Sequence, residues 1–496
     1  MTEVADSKVR VRFCPSPTGA PHVGLARTAL FNWAFARHHQ GDFVFRIEDT
    51  DASRDSEDSY NTLLEVMNWL GFDWDEGPGI GGPHAPYRQS ERSSIYADVL
   101  EQLRHNSHTY DCYCTNDEVE ARRKASGSKV MGYDGHCREL SDDQISAFRD
   151  EGRNPIVRFR MPEGEITFTD LVRGEVSFQT EFVPDFALCR ANGAPLYTLV
   201  NPVDDALMEI THVLRGEDVL SSTPRQIALY EALKEIGIAK WTPQFGHLPY
   251  VMGQGNKKLS KRDPEANLLG YRDDGFLPEG LLNYLALLGW AIAADRDIFS
   301  MEEMVAAFDI ADVNPNPARF DLKKAEAINA SQMRLLPIDE LQRRVTPYLQ
   351  GEGILANPVT PEQQELLTRA MPLVNERMNK LTEAGSMLGF LFSPEIEYDP
   401  AAVSANLNAE GLAVVAAAAS ALTDLAEWTT ESIDAALRAK LIEEMGLKPR
   451  HAFGPVRVAL TGRKVSPPLF ESLELLGRDE SLRRLAAAAT AGGAGE

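Results

Sequence analysis

The sequence predicts an α/β front half built on a parallel sheet, interrupted by an inserted α+β segment and followed by an all-α arm. Three observations carry that reading. Strand-like and helix-like stretches alternate over residues 9–70 and again from 210 to about 235; the pattern turns irregular over about 89–196; and leucine-rich helical periodicity takes over beyond Arg262. With 496 residues, the chain has room for about two to five domains with substantial cores.

Taken in order, residues 9–13 alternate as a first strand, 25–39 as a helix, 43–48 as a second strand and 60–70 as a second helix. Gly41 follows Arg37, His38 and His39, so it is expected to cap that first helix, with cations opposing the negative helix end. Inside the irregular stretch, residues 157–160 and 175–178 read as strands. The strand pattern returns at 210–215, and Thr223-Pro224 reads as an N-cap with proline at N1. Capping boxes at Ser300 with Glu303 and at Thr360 with Gln363 open later helices. No repeat of fixed period is visible, and only residues 486–496 are of low complexity.

Composition narrows the class. Hydrophobic residues make up 43% and charged residues 25%, values of a soluble globular chain rather than a fibrous or disordered one. The start has no apolar signal region and the most apolar run, residues 281–294, is too short to span a bilayer, so a cytoplasmic location without membrane is expected. A net charge of -24 argues against indiscriminate nucleic-acid binding, which draws on Lys and Arg, and leaves only local basic patches to meet a nucleic acid. Five cysteines are too few for a disulfide framework in so long a chain; Cys14 and Cys189 are expected as free thiols.

Two segments carry nucleotide chemistry. Pro15-Ser16-Pro17-Thr18-Gly19-Ala20-Pro21-His22-Val23-Gly24 directly follows the first strand and opens the first helix, where an open α/β sheet places its ligand. The prolines and Gly19 make a tight turn, Gly24 admits a ligand to the backbone, and the positive helix start favours phosphate, to which His22 would donate a hydrogen bond. Six fixed positions recur by chance on the order of one time in ten thousand in such a chain. Far downstream, Lys258-Leu259-Ser260-Lys261-Arg262 follows Gly253 and Gly255, a loop able to swing Lys258 and Lys261 over a triphosphate. Its four fixed positions alone would arise about one time in a hundred. The ordered pair at the two ends of one βα system points to a nucleotidyl-transferring enzyme rather than a binding module.

The first segment resembles the HIGH signature of class I aminoacyl-tRNA synthetases in the form used by glutamyl enzymes, with Leu25 in place of the family-wide second His, and the second resembles KMSKS. The chain is similar to bacterial glutamyl-tRNA synthetases nearly end to end, most closely over 12–51, 196–225 and 246–263, least over 141–155 and 341–407. The resemblance implies a Rossmann-type catalytic domain at 1–88 and 199–235, an inserted acceptor-stem-binding domain at 89–198, and a helical junction with the lysine loop at 236–332. It places helical anticodon-binding subdomains at 333–390 and 391–496, and it implies a monomer acting on tRNA(Glu), L-glutamate and ATP with Mg²⁺.

His22, Lys258 and Lys261 are then the expected catalytic groups, and Pro15, Gly19, His22, Gly24 and Lys261 the ATP site. The glutamate α-carboxylate would attack the α-phosphate in line, pyrophosphate would leave, and the glutamyl group would pass to the terminal ribose 2′-hydroxyl, with tRNA bound before activation. Strand alternation puts Arg12 at the carboxyl end of the first strand, where a guanidinium fork suits a γ-carboxylate, and aims Glu48 toward the α-ammonium. The resemblance adds Ser16, Tyr197, Asn201 and Arg215 to the amino-acid site. Asp49 and Asp51 read as structural or surface groups.

Cys112, Cys114 and Cys137 lie within one short segment, and some bacterial glutamyl enzymes bind zinc there with C-x-C and C-x-H; here Glu139 stands where that His would be. A Cys112, Cys114, Cys137, Glu139 zinc site and three neighbouring reduced thiols both stay open. In the arm, Lys448, Arg450, Arg457, Arg463 and Lys464 gather against the acidic background, which the residues alone allow as a phosphate contact or as a solvated, charge-mixed helix surface; the resemblance implies an anticodon contact, and Arg377 is a candidate for telling tRNA(Glu) from tRNA(Gln). The chain's length argues against the short glutamyl-queuosine paralogue, and a helical arm against glutaminyl-tRNA synthetase, whose anticodon part is β-barrel. A silent tRNA-binding protein that kept the fold would have little reason to keep His22, Lys258 and Lys261.

Overall fold

The computed structural model of the protein describes residues 7–51, 55–127, 132–253, 255, 257–259 and 263–491. The chain forms two compact units, residues 1–270 with 281–322 and residues 271–280 with 323–496.

The first unit opens with β1 (Arg10–Phe13), α1 (Val23–His38), β2 (Asp42–Phe45) and α2 (Glu57–Trp69). Next come α3 (Ser93–His105), β3 (Thr109–Cys112), α4 (Asn116–Ser126), α5 (Asp142–Asp150), β4 (Ile156–Phe159), β5 (Glu165–Asp170), β6 (Gly174–Gln179) and β7 (Ala187–Cys189). The alternation then resumes with α6 (Tyr197–Leu207), β8 (His212–Gly216), α7 (Thr223–Glu235) and β9 (Gln244–Leu248).

Six strands form one sheet in the order β2-β1-β8-β9-β5-β6, parallel throughout except for the β5–β6 hairpin. Val11 on β1 and Phe43, Val44 and Phe45 on β2 are wholly buried, the near-continuous apolar run of strands covered on both faces. The chain leaves β1 toward β2 on one side and returns to β8 on the other, so the carboxyl ends of β1 and β8 flank a crevice at the reversal of strand order.

The irregular stretch divides in two. β3, β4 and β7 make a separate antiparallel sheet, whereas the β5–β6 hairpin extends the large sheet, meeting β9 where Asp170 lies beside Phe245.

Two local expectations are corrected. At the end of α1 the left-handed residue is Gln40 (φ 51°), and the Gly41 amide reaches back to the Ala36 carbonyl at 2.8 Å. Gly41 is required for another reason, since a Cβ there would come within 2.3 Å of the Val9 carbonyl oxygen. Thr223 is the first residue of α7 rather than its cap, which is Ser222, because its hydroxyl is held by Arg215 at 2.8 Å and lies 3.1 Å from His247. Both capping boxes form as expected, at Ser300 with Glu303 and at Thr360 with Gln363.

The second unit is helical, with one core around Leu341, Val345, Leu367, Met371 and Leu388 and another around Val415, Leu437, Val456, Leu460 and Leu473. Among the described residues, no single helix is long and apolar enough to cross a membrane.

Gly41→Ala should lower stability by about 1–3 kcal/mol, the usual cost of overpacking against backbone that cannot retreat. Urea unfolding checks this, with Gly351→Ala, where an added methyl meets nothing within 4 Å, expected to match the parent or exceed it slightly.

Candidate active site

A cleft of about 800 Å³ opens at the carboxyl ends of β1 and β8. Arg12, Ser16, His22, Glu48, Tyr197, Asn201, Arg215 and Lys258 all line it, as do Pro15, Gly19 and Gly24, so residues far apart in sequence are brought to one place. Ser260, Lys261, the expected phosphate cation, and Arg262 lie outside the described residues.

The turn after β1 is fixed from several sides. The Glu48 amide donates to the Pro15 carbonyl at 3.0 Å, and the Gly19 amide to Ser59 Oγ at 3.1 Å, with Gly19 in the left-handed region at φ 84°. His22 is the N-cap of α1: its ring Nδ1 accepts from the Leu25 amide at 3.3 Å. With Nδ1 accepting, the proton of the neutral ring sits on Nε2. A Cβ on Gly24 would sit 3.2 Å from the His22 ring, so glycine there gives the imidazole its room. The start of the 16-residue helix α1 thus offers the cleft a positive dipole end and an oriented imidazole.

Beside this turn lies a buried charge cluster. Asp205 on α6 accepts from Arg12 Nε at 3.2 Å and from Arg46 Nη1 at 2.8 Å. Arg46 Nη2 donates to Asn201 Oδ1 at 2.6 Å, and Asn201 Nδ2 donates to Glu48 Oε1 at 2.6 Å. Behind them Asp204 takes Arg92 Nε at 2.7 Å, Gln89 at 2.9 Å and the Tyr96 hydroxyl at 2.8 Å. Burial raises the Asp205 carboxyl, but Arg12 and then Arg46 outweigh it, so its pKa lies below the ordinary range. For Arg12 burial opposes the charge, and its neighbours together, Asp205 first among them, more than offset it. Glu48 is raised, chiefly by burial. Cys14, a free thiol lining the same cleft, is pushed by burial up to about 12 and stays protonated and inert at neutral pH.

Arg215 on β8 is held differently. Its Nε donates to His247 Nε2 at 3.1 Å, its Nη1 to Gln226 Oε1 at 2.7 Å and its Nη2 to Thr223 Oγ1 at 2.8 Å, all neutral acceptors. Among the described residues it makes no ion pair, and burial lowers its pKa. A buried guanidinium with uncompensated charge facing a cleft is a receptor for an anion.

Lys258 ends a short return of chain, its backbone bridged to Met252 and its ammonium 3.5 Å from Asp218 and 4.4 Å from the centre of the Tyr250 ring. Asp49 is structural, as expected: it takes the Ser90 amide at 2.9 Å and Arg88 at 3.2 Å.

Sequence reasoning missed Arg46, Asp204, Asp205 and His247. The signal for two of them was present: Tyr197, Asn201 and Asp205 recur every four residues, one face of a helix, and Arg46 shares the strand face of Glu48. Arg27 was also missed; it is buried, lines the cleft and donates to the Pro249 carbonyl at 2.7 Å.

The ligand sulfurs of Cys112, Cys114 and Cys137 lie within 4.8 Å of one another, with Cys114 and Cys137 Sγ 3.3 Å apart. Arg122 donates to Cys114 Sγ at 3.1 Å, a cation suited to balancing a cluster of thiolates. Glu139 is not with them: its exposed carboxylate pairs with Arg160 at 2.8 Å, so the expected Cys₃Glu set is corrected to three converging sulfurs. In the second unit Arg377 and Arg457 both donate to the Ser466 carbonyl, while Lys448, Arg450, Arg463 and Lys464 are exposed.

A family profile described as tRNA synthetases class I (E and Q), catalytic domain, matches residues 8–327, and one described as anticodon binding domain matches residues 340–489. The glutamate–tRNA ligase of Nocardioides sp. is 71% identical over 482 residues, covering 97% of this chain and 98% of that protein. That of Kineococcus radiotolerans is 60% identical over 495 residues, covering 98% and 99%. Among solved structures, a glutamate tRNA ligase from Elizabethkingia meningosepticum in complex with its amino acid matches with a TM-score of 0.85 at 32% identity, covering 98% of this chain and 99% of that one.

Asp205→Asn should cost about 3–5 kcal/mol, because it leaves two buried guanidinium groups without their shared carboxylate. The folded pKa of Asp205 is depressed, so its contribution is complete above the unfolded aspartate value and is lost as pH falls through the folded one. Urea unfolding over an acid pH series should show the variant weaker near neutrality and converging on the parent at the most acid end.

Proposed function

The chain belongs to the class I tRNA synthetases of the glutamate and glutamine kind, and from that membership we propose that its cleft activates L-glutamate with ATP and delivers it to tRNA(Glu). The observation that carries the reading is the gathering of Arg12, Arg215, Glu48 and His22 around one crevice at the sheet's switch point.

The side-chain carboxylate of glutamate is received by Arg215, whose charge no protein carboxylate answers, together with the terminal nitrogens of Arg12, whose Nε is engaged by Asp205. Glu48, steadied by Asn201, takes the α-ammonium. This leaves the α-carboxylate turned toward the start of α1. Glutamine would present an uncharged amide to Arg215, a mismatch that a buried cation penalises strongly.

ATP lies with its phosphates at the start of α1. His22 donates from Nε2 as charge builds on the α-phosphate, and Lys258 brings a cation to the same cleft. Mg²⁺ bound to the triphosphate would neutralise part of its charge and ease the departure of pyrophosphate. The glutamyl-adenylate then passes its acyl group to the terminal ribose 2′-hydroxyl. The β3-β4-β7 region serves the acceptor end of tRNA, and the helical second unit serves the anticodon. A monomer at work in the cytoplasm, where charged tRNA is consumed, completes the reading.

Cys112, Cys114 and Cys137 would hold a structural zinc ion through their thiolates, with Arg122 offsetting part of the negative charge. Elemental analysis of chelator-washed protein should find one zinc per chain; none would leave the cluster as reduced thiols.

The activity is tested by ATP–pyrophosphate exchange with glutamate, run with and without tRNA(Glu). Exchange that depends on glutamate is expected, and none under any condition would reduce the chain to a tRNA-binding protein. In the same assay Arg12→Gln should raise KM for glutamate by about 10-fold or more, as loss of a charged hydrogen bond requires, with little change for ATP. Equal effects on both substrates would remove Arg12 from the amino-acid pocket.

A further inference from the structure

Arg215 is useful to a carboxylate only while its fork is held toward the cleft and its charge stays unanswered, and the two demands conflict. A protein carboxylate would orient it but would also neutralise it. The structure resolves this with a neutral intermediary on three adjacent strands. Arg215 of β8 and His247 of β9 are register partners, and Asp170 of β5 is paired with Phe245, two residues before His247 on the same face. His247 is 0% exposed, Asp170 1% and Arg215 6%.

The protonation pattern follows from the donors. A guanidinium can only donate, so His247 Nε2, which receives Arg215 Nε at 3.1 Å, must carry a lone pair. The ring proton therefore sits on Nδ1 and is donated to Asp170 Oδ2 at 2.5 Å. Asp170 is itself immobilised: its Oδ1 accepts the amides of Val172 and Arg173, each at 3.0 Å, and of His247 at 3.2 Å. Thr223 Oγ1, 3.1 Å from His247 Nε2 and bonded to Arg215 Nη2, closes the arrangement. Burial lowers the imidazole pKa, with Asp170 opposing, so a second positive charge beside Arg215 is avoided.

We propose that Asp170 and His247 are positioning residues for amino-acid recognition: Asp170 sets the His247 tautomer, and that tautomer orients Arg215 toward the substrate's side-chain carboxylate without neutralising it. The proposal rests on the glutamate-binding role given to Arg215 above.

Asp170→Asn in the full-length protein isolates the effect. The amide oxygen stays on the three backbone amides, so the NH₂ faces Nδ1 and forces the ring proton onto Nε2, where it opposes Arg215 Nε–H. KM for glutamate in tRNA charging should rise about 10- to 100-fold, the factor carried by a hydrogen bond to a charged group, while KM for ATP changes less than about twofold. Nitrogen-15 spectra of labelled imidazoles should show one histidine passing from Nδ1-protonated to Nε2-protonated. A glutamine at 247 holds both an acceptor and a donor and can turn to suit either neighbour. In the His247→Gln background, Asp170→Asn should therefore add little, giving a large coupling in the double-mutant cycle.

Arg215→Gln separates the two levels. If it leaves KM for glutamate unchanged, the role of Arg215 itself fails. If it raises KM but Asp170→Asn does not, or if the two Asp170 and His247 substitutions are simply additive, the positioning relay is overturned. Should Asp170→Asn not fold, His247→Leu must raise KM for glutamate and His247→Gln must largely restore it; equal KM values for those two variants would overturn the relay as well.

Discussion

The Asp205 carboxylate lies between two guanidinium groups, Arg12 at 3.2 Å and Arg46 at 2.8 Å, and the rest of the cleft is arranged around that bracket. Without it, two buried cations would stand at the carboxyl ends of neighbouring strands, with Glu48 and Asp204 left to answer Arg46 alone. With it, Arg12 and Arg46 become fixed parts of the wall, and Asn201 can pass the order on from Arg46 to Glu48. The helix that carries Asp205 also carries Asn201 and Tyr197 on the same face, so one α-helix sets the geometry of this end of the cleft.

Arg215 is held differently. Arg12, Arg46 and Arg92 each have a carboxylate within reach, whereas Arg215 has only neutral acceptors among the described residues. In the amino-acid role proposed for it, its charge would match the side-chain carboxylate of glutamate and not the amide of glutamine. Specificity in this view is a matter of charge balance in a low-dielectric site, with geometry supplied by the buried hydrogen bonds behind it.

Much of this was legible in the sequence, for identifiable reasons. The turn after β1 could be read because prolines, Gly19, His22 and Gly24 act locally, each through backbone or cap geometry within a few residues. Arg12 and Glu48 could be read because strand alternation and strand position fix where a side chain points. What stayed hidden depends on elements that meet only in three dimensions. Nothing near Asp170 announces that a hairpin from the irregular stretch joins the large sheet and places that carboxylate beside His247. Glu139 misled for the converse reason: proximity to Cys137 in sequence suggested a ligand, but its side chain turns outward to Arg160. Thr223 looked like a cap because its residue type is right, and the structure uses its hydroxyl on Arg215 instead.

A crystal structure with a non-hydrolysable glutamyl-adenylate analogue shows where a bound amino acid lies. With Arg12 and Arg215 as its receptors, the γ-carboxylate falls within hydrogen-bonding distance of both guanidinium groups, and the phosphate mimic lies beside His22 at the start of α1. An analogue seated with its γ-carboxylate away from both arginines overturns that assignment.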